Sequence, residues 1–222
     1  MSSARGLVYD RYYVGAHAEW LMRIGPESGA PILFVPPLFE EMNRTRALIV
    51  SVMRTLASAG YCCWLPDLPG TGESERALET CSWADWREAV RLAADRVRSG
   101  RTLVVASVRG GALLDDIPDA TQWRFSPVEG RSLLRDLSRS GLTGGDGAAG
   151  YPMSSDLSAG LAAARPAPVP LSRILRLTAD RQSADARVDG PALWRRSEPG
   201  TSSELAELIS SDILTWASKC AS

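Results

Sequence analysis

The chain contains a single histidine, His17, in 222 residues. That scarcity removes most mechanisms in which an imidazole moves protons, because such a base must face a nucleophile and an orienting acid. His17 stands alone in an opening segment of alternating residues and is expected to be a surface or half-buried structural residue. Charge of one sign is also missing: 25 Lys plus Arg against 26 Asp plus Glu give a formal net charge of −1, which provides no field to attract nucleic acid or an anionic membrane. No apolar run is long enough to span a bilayer. The amino terminus lacks the apolar stretch and small-residue cleavage site of a secretory signal, so a soluble, cytoplasmic protein is expected. The four cysteines, Cys62, Cys63, Cys81 and Cys220, form no Cys-x-x-Cys pair and have one histidine to share, so no metal site and no cofactor is expected. Vicinal Cys62 and Cys63 fall in a β-forming run, where they point to opposite faces.

What is present suits one domain over residues 1–222, with 45% hydrophobic residues to build its core. Leu7–Val14 and Ala18–Ile24 alternate as two strands divided by Gly15, an antiparallel hairpin. Pro31–Val35 is wholly apolar and stopped by Pro36-Pro37, as suits a strand buried on both faces. From Asn43, a favoured N-cap type, Ile49, Val52, Met53, Leu56 and Ala57 recur at helical spacing up to Gly60, where a C-cap glycine belongs. Tyr61–Leu65 reads as the next strand. Ser82 and Asp85 open a helix carrying Trp83, Trp86, Val90, Ala93 and Val97 inward, and Leu103–Ala106 is a third strand.

Alternation of strand and helix predicts an α/β fold with a doubly wound, mostly parallel sheet and ligand sites at the carboxyl ends of its strands. Pro118 cuts short the helix due after the third strand. Trp123–Phe125 and Ile174–Thr178 are later strands, and Ser203–Ser218 is a terminal helix. Residues 141–170, rich in Gly, Ala and Pro, are expected to form a reduced, flexible lid with a short helix at Leu157 and Leu161. Five of the seven tryptophans, Trp20, Trp64, Trp83, Trp86 and Trp216, fall on core faces. Trp194-Arg195-Arg196 reads as a solvated turn in preference to a contact site.

Two motifs point to chemistry. Asp67-Leu68-Pro69-Gly70-Thr71-Gly72-Glu73-Ser74 follows a strand as the D-x-x-G-x-G-x-S turn common in α/β-hydrolases. Ser107-Val108-Arg109-Gly110-Gly111 stands at the strand-to-helix turn where G-x-S-x-G would place a nucleophile. Arg109 occupies that position, or Val108 in the alternative register, so serine is excluded in both. Ser107 is the weak remaining candidate nucleophile, since glycine follows it only at the third residue.

These residues, with Val35-Pro36-Pro37-Leu38-Phe39-Glu40-Glu41-Met42-Asn43, Phe125–Gly130 and Ala149-Gly150-Tyr151, resemble the exosortase A system-associated hydrolases of the hydrolase 2 type. The resemblance implies an α/β-hydrolase-like fold and a bacterial setting around exopolysaccharide export or PEP-CTERM protein sorting, with a small ligand or a protein of that pathway as partner. A cation at a helix amino end is disfavoured by about 0.3–1 kcal/mol unless an anion offsets it. Arg109, with Gly110 behind it, is therefore expected to pair with Glu40 or Glu41 from the loop of Leu38 and Phe39, equivalent to the oxyanion loop, or with late Asp180 or Glu198, and to bind an anion or form a buried ion pair. Two functions remain open: a ligand- or partner-binding protein without a Ser-His-Asp triad, and an esterase or thioesterase with unconventional residues such as Ser107 and a carboxylate base.

Overall fold

The computed structural model describes residues 6–98, 100–139 and 151–220. Eight strands form one sheet in the order β1-β2-β4-β3-β5-β6-β7-β8. β1 (Leu7–Val14) and β2 (His17–Ile24) are the predicted hairpin, paired antiparallel from Leu7↔Ile24 to Val14↔His17, with Gly15 turning at φ 61°. β2 joins β4 (Cys62–Pro66) antiparallel, and every pairing beyond that is parallel, through β3 (Pro31–Val35), β5 (Leu103–Val108), β6 (Ala120–Phe125), β7 (Ser172–Leu177) and β8 (Ala186–Val188). β3, β4 and β5 are buried at every residue. Their unbroken apolar runs follow from cover on both faces, since neither face meets water.

The sheet separates two cores. On one side, α2 (Trp83–Arg98), α3 (Gly130–Arg139) and α4 (Ser155–Ala163) cover Leu33, Val35, Cys62, Trp64 and Val105. On the other, α1 (Glu40–Ser58) and α5 (Ser203–Cys220) cover Ile32, Phe34, Cys63, Leu65 and Phe125. Adjacent Cys62 and Cys63 enter opposite cores, as strand alternation requires. α2 begins with the predicted reciprocal cap: the Asp85 amide donates to Ser82 Oγ at 3.0 Å and the Ser82 amide to Asp85 Oδ2 at 2.8 Å.

α1 departs from expectation. It starts at Glu40, three residues before Asn43, which lies within the helix. Phe39, at φ 58°, ends the preceding loop, and Glu40 and Glu41 then fill the first turn, where carboxylates complement the positive helix end. Gly60, at φ 94°, follows the helix as predicted. After β5 the chain makes only a 3-10 turn, Arg109–Leu113, before Pro118, and enters β6 without a crossover helix.

α3 and β8 were not anticipated. α3 buries Gly130, Leu133 and Leu137 among charged neighbours, and β8 is three residues long. Of the predicted lid, 141–150 lie outside the described residues. The remainder contains α4, with Leu157 and Leu161 fully buried. α4 packs so closely on α2 that a Cβ at Gly160 would come within 2.3 Å of Trp83. Among the described residues, no helix is long and apolar enough to cross a membrane.

Candidate functional site

β5 ends at Val108, and Arg109 reverses the chain at φ 53°. A side-chain-bearing residue in this left-handed region costs about 1–3 kcal/mol and persists only where its surroundings over-determine it. They do so here. A Cβ on Gly111 would meet Val35 O at 2.4 Å, and one on Gly110 would meet the Leu133 and Leu38 side chains at 2.9 and 3.1 Å. The glycines let the turn press against the end of β3, and Arg109, not Val108, is at its apex.

The apex side chain is buried, with 7% of its surface exposed. Its Nη2 donates to Glu41 Oε1 at 2.8 Å, and its Nε lies 3.2 and 3.3 Å from the two Glu41 oxygens. Nη1 donates weakly to Ser126 O at 3.4 Å, and Asp136 Oδ2 is 3.8 Å from Nη2. The guanidinium carbon stands 4.7 Å from the centre of the Trp194 ring, within cation–π range. Glu41 is itself buried. Burial pushes its carboxyl above the ordinary glutamate range, while the charge and hydrogen bonds of Arg109 pull it back. Burial is thus the largest influence on this carboxyl, and the pair neutralises two charges held away from water.

The other acids of the expected set are not at the apex. Glu40 Oε1 accepts from the Tyr151 hydroxyl at 2.8 Å. Asp180 accepts from Arg176 Nη1 at 2.8 Å and from the Gln182 amide at 3.0 Å. Glu198 is exposed in the segment before α5. Leu38 and Phe39 are core residues, with the Phe39 ring packed at a tilt against Trp86, 5.5 Å between centroids, and Tyr151, 5.0 Å.

Ser107 is fully buried in β5, and its hydroxyl donates to Asp115 Oδ2 at 2.7 Å. Asp115, also fully buried, accepts from Arg124 Nε and Nη2 at 2.8 and 2.7 Å, and Arg124 reaches Ala167 O at 2.9 Å. Burial raises the Asp115 carboxyl, against the pull of Arg124 and Ser107. Ser107 and Asp115 thus belong to an interior network and have no surface of their own exposed to solvent. Sequence reasoning passed over Asp115 and Arg124. Their available signal was an arginine within the apolar run Trp123-Arg124-Phe125, which needs a buried acid.

His17 is exposed on β2, separated from β5 by β4 and β3. Trp194 lies in the 3-10 turn Leu193–Arg195 after β8. It is 7% exposed and lies over Arg109, which corrects its reading as a solvated turn. In the D-x-x-G-x-G-x-S turn, Asp67 Oδ2 accepts from the Glu73 amide at 3.1 Å, and Gly72, at φ 56°, lies against the carboxyl so closely that a Cβ would come within 2.5 Å. That turn holds itself together around Asp67. Among the described residues no His/Cys/Asp/Glu group is able to hold a metal ion.

No family model matches the chain. A thermophilic esterase from Thermogutta terrifontis superposes with a TM-score of 0.64 at 12% identity, covering 98% of this chain and all of that one. A protein from Agrobacterium vitis S4 named as a hydrolase gives 0.60 at 13% identity, covering 95% and 98%. These likenesses show an α/β-hydrolase fold. In sequence, the chain is 32% identical over 83 residues to the mitochondrial palmitoyl-protein thioesterase ABHD10 of Bos taurus, a match spanning 37% of this chain and about a quarter (26%) of the bovine protein.

Proposed function

We propose that this α/β-hydrolase-fold chain is a ligand- or partner-binding protein that does not hydrolyse its ligand, in the cytoplasmic accessory role implied by its likeness to proteins of exopolysaccharide and exosortase loci. The observation that carries the reading is the identity of the apex: Arg109, neutralised by Glu41 and covered by Trp194, fills the place from which a nucleophile would act. The ion pair is a plug, and ligand contacts lie outside it.

A second reading, an ester or thioester hydrolase, draws on the partial likeness to the bovine thioesterase and on the 2.7 Å hydrogen bond from Ser107 to a carboxylate. Against it stands the complete burial of Ser107. Treatment with a fluorophosphonate and assay on p-nitrophenyl acetate and a palmitoyl thioester separate the two. The binding reading expects no label and no turnover above buffer. Stoichiometric labelling or turnover that disappears in Ser107→Ala overturns it.

A further inference from the structure

The side of the sheet that faces α2, α3 and α4 is thinly covered at β6 and β7. An open groove of about 1270 Å³ runs there, from the elbow to the loop after β7, with six arginines and three acidic residues on its walls. The arginines divide into two classes. Arg109, Arg124 and Arg176 form the buried floor, and each has its own carboxylate: Glu41 at 2.8 Å, Asp115 at 2.7 Å and Asp180 at 2.8 Å. The floor is neutral.

Arg135, Arg181 and Arg195 are exposed at the rim. Arg135 donates to the Ser132 hydroxyl at 3.0 Å, and none of the three has a carboxylate partner among the described residues. They come from three elements that border the groove, α3, the loop after β7 and the turn after β8. A planar carboxylate satisfies one such fork, whereas a phosphate or diphosphate offers oxygens in several directions at once. Beside them Pro127, Val128, Ile174 and Trp194 supply an apolar wall. The volume exceeds the roughly 300–1,000 Å³ of common small-molecule pockets.

We infer that this groove binds a small organic diphosphate, its phosphates held by Arg181, Arg195 and Arg135 and its organic body laid on the apolar wall. The inference deepens the ligand-binding reading and rests on it, because it needs the floor arginines occupied by their own acids and the ligand left intact. Glu129 and Asp136 also line the groove. Rim charge is thus three positive against two negative, which makes recognition depend on the arginine forks more than on a long-range field.

Calorimetric titration of the wild-type chain at low salt with inorganic pyrophosphate, ADP and geranyl diphosphate, and with citrate as a polycarboxylate control, tests this. Saturable binding is expected for the diphosphates. ADP or geranyl diphosphate should be tighter than pyrophosphate, the tighter of the two showing whether the body is a ring system or an aliphatic chain, and citrate should be at least tenfold weaker. Arg181→Ala/Arg195→Ala should weaken binding at least tenfold with an unchanged melting temperature, since both side chains are exposed. The Lys/Lys double variant, which keeps the charge and loses the fork, should fall between. No saturable diphosphate binding, equal affinity for citrate, or binding undiminished in the Ala/Ala variant overturns the inference. Fluorophosphonate labelling would instead overturn the non-hydrolytic reading, so the two failures are distinguishable.

Discussion

Removing Glu41 alone should leave Arg109 buried with its charge exposed to the core. In Glu41→Ala the guanidinium keeps Ser126 O at 3.4 Å and the Trp194 face at 4.7 Å, but loses the carboxylate that receives both Nε and Nη2. Breaking one side of a buried ion pair costs about 3–5 kcal/mol. Asp136, 3.8 Å away and half-exposed, can swing toward Arg109, and a solvent-screened pair of that kind returns up to about 1 kcal/mol. The net loss is then roughly 2–4 kcal/mol, or a fall of about 4–16 °C in melting temperature at about 2–4 °C per kcal/mol for a chain of this size. Because burial is the largest influence on Glu41, removing both charges should be far milder. Arg109→Met/Glu41→Leu is expected within about 1 kcal/mol of wild type, as apolar replacements of buried pairs generally are. Urea unfolding of wild type, Arg109→Met, Glu41→Leu and Arg109→Met/Glu41→Leu, compared as a double-mutant cycle at constant m-value with Glu41→Ala measured alongside, tests this directly. If Glu41→Ala loses under 1 kcal/mol, or if the double variant is as damaged as the single, the elbow is not held by this pair.

Glu19 makes a second case, tied to pH. It is fully buried on β2. Burial pushes its carboxyl up, opposed in part by Ser74, Arg76 and His17. A carboxyl with a raised folded pKa holds its proton more tightly when folded, so its contribution is full below the ordinary glutamate range and is lost as pH rises through the folded value. Glu19→Gln should therefore raise the melting temperature near neutral pH and flatten its dependence on pH above that range; a melting curve that falls at pH 7 in this variant contradicts the assignment. Arg109→Ser should place a hydroxyl at the apex yet give no turnover of p-nitrophenyl acetate above buffer, because the chain's single imidazole, His17, sits on β2, separated from β5 by β4 and β3. Measurable, saturable turnover would show that another residue supplies the base.

The parts of this fold visible in the sequence are those whose cause is local or periodic. β3, β4 and β5 announce themselves as apolar runs because burial on both faces leaves no polar register, and α2 because Ser82 and Asp85 cap it within one turn. The start of α1 was misplaced because Phe39 takes its left-handed backbone from packing on Trp86 and Tyr151, partners far off in sequence, while Asn43 offers the stronger local signal. β8 has three residues with Arg187 in the middle, whereas α3 carries Leu133, Leu134 and Leu137 at helical spacing, a local signal that was passed over. At the site, the motif located Arg109. Choosing Glu41 over Glu40, Asp180 and Glu198 required the orientation of the first turn of α1, and Trp194 required the path of the chain after β8.

The backbone of the elbow explains why the side chain at 109 has such extended consequences. Gly110 and Gly111 lock the turn against Leu38 and Val35, so whatever residue stands at 109 is held at φ 53° and aimed into the same space. An arginine so placed cannot withdraw to solvent as a surface arginine would. It must find an anion, and Glu41, on the helix packed beside it, supplies one at 2.8 Å. Once that pair and Trp194 fill the apex, the floor of the groove has no charge left to offer. Any anionic ligand must then be recognised farther out, by arginines without acids of their own, and Arg135, Arg181 and Arg195 meet that condition at the rim.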